Sequence, residues 1–174
     1  MVRPGPLRRL IFRLPLLLDR LEWHGLERLV TRTLGIEWIV LATRGRRTGR
    51  THTVVLDIVG RDPIRDIYYV QPAFGARADW VRNALLHPAT ARVGDRFVRV
   101  RVRDATGTEG AEVVLRFLRA HPRYARVIVW FVGYVDRLDR SDDELRRALA
   151  TTPVYALEAE PQSDNATART SVRP

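Results

Sequence analysis

Apolar residues recur along this chain with two periods, and the change from one to the other divides it. Leu7, Leu10, Ile11, Leu14, Leu17, Leu18 and Leu21 follow at spacings of three and four, which gathers them on one stripe of a helix. Arg8, Arg9, Arg13 and Arg20 lie between them, and Pro15 kinks or restarts the helix. From Glu37 the pattern shortens to strands. Trp38-Ile39-Val40-Leu41 is apolar and rich in β-branched residues, as a buried strand requires. It enters a loop with two glycines, Thr43 to Arg50, after which Thr51 to Val59 reads as a second strand. Arg61-Asp62-Pro63 marks a turn, and Ile67 to Val70 a third strand.

Gln71 to Ala78 has little periodicity and reads as loop. Asp79 is placed to cap a short helix, Trp80 to Leu86, that stops before Pro88. Strands follow at Ala89 to Val93 and Phe97 to Arg103, around the Gly94-Asp95 turn. In the second of these Val98, Val100 and Val102 alternate with Arg99, Arg101 and Arg103. That period of two predicts one buried face and one wet face. Thr108 to Ala120 reads as a helix, and Pro122 separates it from another at Arg123 to Gly133. Ser141-Asp142-Asp143-Glu144 is a capping box opening a further helix, and Val154 to Glu158 is a last strand. After Pro161 the composition turns polar without periodicity, as in a disordered tail. The expected organisation is an amphipathic helical segment over 1–34, a folded domain over 35–161 and a tail over 162–174. Five or six strands in hairpin order, with helices before, between and after, do not form a βαβ series. They predict an α+β domain, an antiparallel sheet or small barrel with helices packed on it.

Composition narrows the chemistry. The chain has 174 residues and no cysteine, which excludes disulfide scaffolds, thiolate metal sites and thiol catalysis. Its net charge is +10, which favours an anionic partner. All thirty basic residues are arginine, so lysine Schiff-base chemistry and a Walker lysine are excluded. No segment reaches the ~18 apolar residues of a membrane span, and the N-terminus lacks the pattern of a secretory signal. The default location is the cytoplasm. The basic helix at the N-terminus either packs on its own domain or lies peripherally on an anionic membrane surface.

The densest chemistry lies in two loops. In Arg44-Gly45-Arg46-Arg47-Thr48-Gly49-Arg50 the glycines let backbone N–H groups approach an anion. Arg46 and Arg47 bring guanidinium forks that suit phosphate, and Thr48 a hydroxyl; an ordinary charged hairpin turn is the alternative. In Phe74-Gly75-Ala76-Arg77-Ala78-Asp79-Trp80 a glycine loop meets a helix N-terminus, which attracts anions. Trp80 there can stack on a planar ring or anchor the core, with Asn83 then on the helix surface. His24, His52, His87 and His121 lack metal-ligand spacing. Ser141, Ser163 and Ser171 sit in a cap and in the tail, which argues against a serine hydrolase. Tyr124, just after His121-Pro122, is either a proton donor or a buried tyrosine with its hydroxyl satisfied.

Four segments in order resemble the deazaflavin-dependent nitroreductase and quinone-reductase family. They are Ile39-Val40-Leu41-Ala42-Thr43-Arg44-Gly45-Arg46-Arg47-Thr48-Gly49; the Gly75 loop with Asp79-Trp80-x-Arg82-Asn83 and His87-Pro88; His121-Pro122-Arg123-Tyr124; and Pro153-Val154-x-x-Leu157-Glu158. The resemblance covers residues 37–161 and implies a split β-barrel that binds reduced coenzyme F420 and passes hydride to a quinone, nitro compound or activated alkene. It implies that Arg46, Arg47, Thr48 and Gly49 hold the coenzyme phosphate, with Arg50 and His52 nearby. By the same resemblance Ala73, Phe74 and Gly75, with Arg77, Asp79, Trp80 and Asn83, line the deazaflavin. Tyr124 then orients the acceptor or donates a proton. Some relatives use their N-terminal helix at the membrane.

The chain departs from the family pattern in several places. Arg47 replaces a lysine, His52 an arginine and Val81 a tyrosine, while His121 and Val127 stand where some relatives carry tyrosines. A flavin reductase using FMN on the same fold is the alternative enzyme. A nucleic-acid-binding module built on Arg99, Arg101, Arg103 and the loop arginines is the alternative from another class. Aromatic residues do not interleave with those strand arginines, which argues against base stacking.

Overall fold

A computed structural model describes residues 37–72, 75–122, 124–125 and 139–161. The expected N-terminal helix, all but residues 124–125 of the helix expected at 123–133, and the tail lie outside the described residues, as do Ala73, Phe74 and Val127. Six strands form a closed antiparallel barrel in the order β1-β2-β3-β6-β5-β4. They are β1 (Trp38–Arg44), β2 (Thr51–Asp62), β3 (Ile67–Val70), β4 (Ala89–Val93), β5 (Arg96–Asp104) and β6 (Tyr155–Ala159). The described helices are α1 (Asp79–Ala84), α2 (Thr108–Ala120) and α3 (Asp142–Leu149). This is the α+β split-barrel class that the pattern and the resemblance led one to expect, with β1 pairing both β2 and β4 to close the ring. Among the described residues no helix is long and apolar enough to cross a membrane.

Alternation along each strand sorts side chains to the inside or outside of the barrel. Ile39, Leu41, Leu56, Ile58, Tyr68, Val70, Val100, Val102 and Leu157 fill the interior, and Trp80, Val81 and Ala84 of α1 join them. A second cluster lies on the outer surface, where α2 and α3 cover Val59, Ile67, Tyr69 and Ala156. The β2 strand runs three residues further than its apolar pattern, to Asp62, with an irregular register between Ile58 and Gly60. Asp62 caps the turn that follows, its Oδ1 accepting from the N–H groups of Ile64 and Arg65. The Ser141 capping box is complete, with Ser141 and Glu144 each holding the other's backbone N–H.

The arginine-bearing face of β5 is wet but not free. Arg99 and Arg101 both reach Glu160, at 2.8 and 3.2 Å, and Arg103 bridges Glu158 and Glu109. Glu109 also accepts from the Tyr69 hydroxyl at 2.9 Å. Arg103 beside Glu109 holds that carboxyl below its usual range. Exposed pairs of this kind contribute only about 0–1 kcal/mol each. Their consequence here is electrostatic, since carboxylates from β6, the residue just after it and α2 interrupt the row of cations.

Helix α2 starts against the barrel at a glycine with no spare room. A Cβ on Gly110 would meet the Ala105 carbonyl oxygen at 2.6 Å and Val154 Cβ at 2.8 Å. Glycine to alanine within a helix ordinarily stabilises by about 1 kcal/mol. Gly110→Ala is expected instead to destabilise by about 1–3 kcal/mol, as overpacking does, measured by urea unfolding followed by circular dichroism.

Candidate functional site

The loop from β1 to β2 is built by its glycines. Gly49 adopts φ +66, a left-handed conformation that favours glycine. The loop closes through Gly45 N–H to the Arg50 carbonyl and Gly49 N–H to the Gly45 carbonyl, each 2.8 Å. A Cβ on Gly45 would lie 2.8 Å from His52 Nε2 and 2.9 Å from Thr48 Oγ1, so the backbone packs directly beneath those two side chains. On the other side, Gly75 at φ +71 turns the chain into α1. Asp79 is the first helical residue rather than its cap; the N-cap is Ala78, with no side-chain hydrogen bond.

Asn83 locks loop and helix together. It is 3% exposed, not a helix-surface residue, because its Oδ1 accepts from both the backbone N–H and the guanidinium of Arg46, each at 3.2 Å. The same guanidinium reaches Asp79 at 3.0 Å. Arg46 is therefore a strut between the two loops. Trp80, 8% exposed, serves as a core anchor, meeting Tyr155 edge to face at 5.7 Å, and also reaches the site.

These contacts leave a cleft of about 610 Å³ between the β1–β2 loop and α1. Gly45, Arg46, Arg47, Thr48 and His52 line one side, Arg77, Asp79, Trp80 and Asn83 the other, and Thr53 and Val54 of β2 the floor. Two sequence segments singled out separately thus meet in one place. Arg47 and Arg77 are exposed and have no ion-pair partner among the described residues. Gly49, Arg50 and Gly75 shape or flank the cleft without lining it. Among the described residues no three His, Asp or Glu side chains gather as a metal site.

Tyr124 does not line this cleft. It is 9% exposed, in the outer cluster under α2, where Phe117 meets it edge-on at 5.4 Å. Its hydroxyl donates to Asp57 of β2. Asp57 also accepts from the Trp38 side chain, which sits opposite it across the β1–β2 pair. Burial outweighs these hydrogen bonds and pushes the Asp57 carboxyl above the usual carboxylate range. Sequence reasoning passed over this residue, although an aspartate inside Val54-Val55-Leu56-Asp57-Ile58-Val59 was a visible signal.

No protein-family model matches the chain, and no curated protein is significantly similar to it. Solved structures similar to it include an F420-H2-dependent reductase at 20% identity, covering 70% of this chain and 94% of that one, with a TM-score of 0.46. Another is a Clostridium acetobutylicum protein of the pyridoxinephosphate oxidase family, related to general stress protein 26, at 9% identity, with coverage of 76% and 80% and a TM-score of 0.47. A third is an Agrobacterium tumefaciens protein of unknown function, at 15% identity, with coverage of 79% and 55% and a TM-score of 0.49.

The raised Asp57 carboxyl has a consequence for stability. A group whose pKa is higher in the folded state contributes its full stabilisation below the unfolded value, ~4 for aspartate. That contribution is lost as pH rises through the folded value. Asp57→Asn should therefore gain stability relative to the wild type as pH increases above ~4, by up to about 1.4 kcal/mol per pH unit. Urea unfolding of both proteins across pH checks this.

Proposed function

We propose that this chain is a reductase in which the cleft between the β1–β2 loop and α1 holds the phosphate of reduced coenzyme F420, and hydride passes to a small apolar acceptor such as a quinone, nitro compound or activated alkene. The observation that carries the reading is convergence. The Gly45-to-Gly49 loop and the Asp79-Trp80-x-x-Asn83 segment, which together resemble the deazaflavin family, line one cleft. The donor set suits a phosphodiester. Arg47 and Arg77 offer guanidinium forks and Thr48 a hydroxyl.

The coenzyme supplies the hydride when bound, and the protein supplies orientation and a water-poor surface. Arg46, tied to Asp79 and Asn83, sets the distance between the two walls. The exposed guanidiniums of Arg47 and Arg77 carry the attraction for anions. His52, where the family has an arginine, adds a polar ring to the lining.

The test is a fluorescence titration of the purified protein with F420, run beside FMN, for wild type and for Arg47→Ala with Arg77→Ala. Saturable F420 binding that weakens at least tenfold in the double variant, about 1.4 kcal/mol, is expected. Tighter binding of FMN than of F420 would replace the coenzyme. Unchanged F420 affinity in the double variant would remove the phosphate assignment. Failure of both ligands, with duplex DNA bound in a salt-sensitive way, would replace the enzyme reading altogether.

A further inference from the structure

The space that a side chain on Gly45 would need is taken by two neighbours. The Nε2–Cδ2 edge of His52 and the Thr48 hydroxyl converge there, 2.8–2.9 Å from where a Cβ would stand. Both side chains line the cleft. Thr48 Oγ1 accepts the Arg50 backbone N–H at 3.3 Å, which leaves its own hydrogen to donate to a ligand. His52 is fixed through its backbone, opposite Thr43 in the β1–β2 pair, where its carbonyl accepts the Thr43 hydroxyl at 3.3 Å. Its side chain is exposed, and the ring has no hydrogen-bond partner among the described residues.

We infer that His52 is the proton-dependent ligand of this anion site: protonated, it joins Thr48, Arg47 and Arg77 in holding a phosphodiester, and neutral, it ceases to do so; this rests on the phosphate reading above. A neutral imidazole has one N–H and one bare lone pair, whereas the imidazolium has two N–H groups and a positive charge. Only the charged form meets a phosphate oxygen with a donor whichever way the ring is turned. Histidine is also the side chain whose charge ordinarily changes between pH 5 and 8. The arginines stay charged throughout that range, and a phosphodiester keeps its single negative charge.

Charged groups face the ring from two elements. Arg46 and Arg47 stand on the β1–β2 loop, with Arg44 and Arg50 at its ends. Arg77 and Asp79 stand on the segment that enters α1. Arg46 and Asp79 pair with each other at 3.0 Å, which leaves Arg47 and Arg77 to share an anion with the ring. An anion held among them favours the imidazolium, and linkage fixes the sign of the effect. Affinity is greatest below the imidazole titration of the free protein and declines as pH rises through that of the complex. A rise of one pH unit in the titration on binding equals a tenfold ratio between those two limits.

Two readouts test this role. In protein labelled with carbon-13 at the histidine rings, the resonance that vanishes in His52→Gln is followed across pH alone, with diethyl phosphate and with F420. Each anion should raise its titration by about one pH unit, with the His121 ring, outside the cleft, unmoved. By calorimetric titration, wild-type affinity for F420 should fall about tenfold between about pH 5.5 and about pH 8.5 relative to His52→Gln. That variant shares any titration of the coenzyme's own hydroxyl. His52→Arg, whose charge does not titrate, should keep the low-pH affinity at the upper end of the range. A His52 ring that titrates alike with and without diethyl phosphate, or a pH profile shared by wild type and His52→Gln, overturns the role. A His52 titration raised by diethyl phosphate, with F420 binding to neither protein, would keep the histidine and remove the coenzyme, so the two readings fail separately.

Discussion

A strand with no neighbour leaves a row of backbone N–H and C=O groups unpaired, and here that demand is met by closing the sheet on itself. The closure depends on β6, the last described strand, which lies between β3 and β5 and joins the two ends of the chain's earlier hairpins. Once each strand has two partners, the register is fixed around the ring. A slip of one residue would turn every side chain to the opposite face. The inside then belongs to residues such as Leu41, Leu56, Val100 and Leu157. The outside is left to the helices, to the ion pairs of β5 and to the Thr53-to-Asp57 face of β2.

That partition sorts the residues of one strand to two environments. Leu56 and Ile58 fill the barrel, while Thr53 and Asp57 project from the same strand to the other side. The cleft at one end of β2 is polar because α1 turns its buried Asn83 toward Arg46 instead of toward the core. Commitment of Arg46 to this strut divides labour among the loop arginines. One guanidinium is structural, and Arg47 and Arg77 remain exposed on either wall.

Local pattern made much of this legible. The alternation Val98 to Arg103, the helix Thr108–Ala120 and the capping box at Ser141 each rest on neighbours within a few residues, and each stands in the structure with those features. The glycines of the β1–β2 loop likewise announce the turn they make. What escaped depends on partners distant in sequence. Asn83 gave no sign of burial, because its partner Arg46 is 37 residues away. Tyr124 could be read as donor or as core, because the residue that decides its environment, Asp57, lies 67 residues earlier. The row Arg99, Arg101 and Arg103 looked like a free cationic face until Glu158, Glu160 and Glu109 were brought beside it by the β5–β6 pairing and the start of α2.

The measurement that tests the account most directly is amide hydrogen exchange of the wild-type protein with and without saturating F420. The cleft assignment predicts slowed exchange at the backbone of residues 45–49 and 77–83, with the outer face of β5 unaffected. Protection confined to other parts of the barrel, or none at coenzyme concentrations that saturate fluorescence, would contradict it.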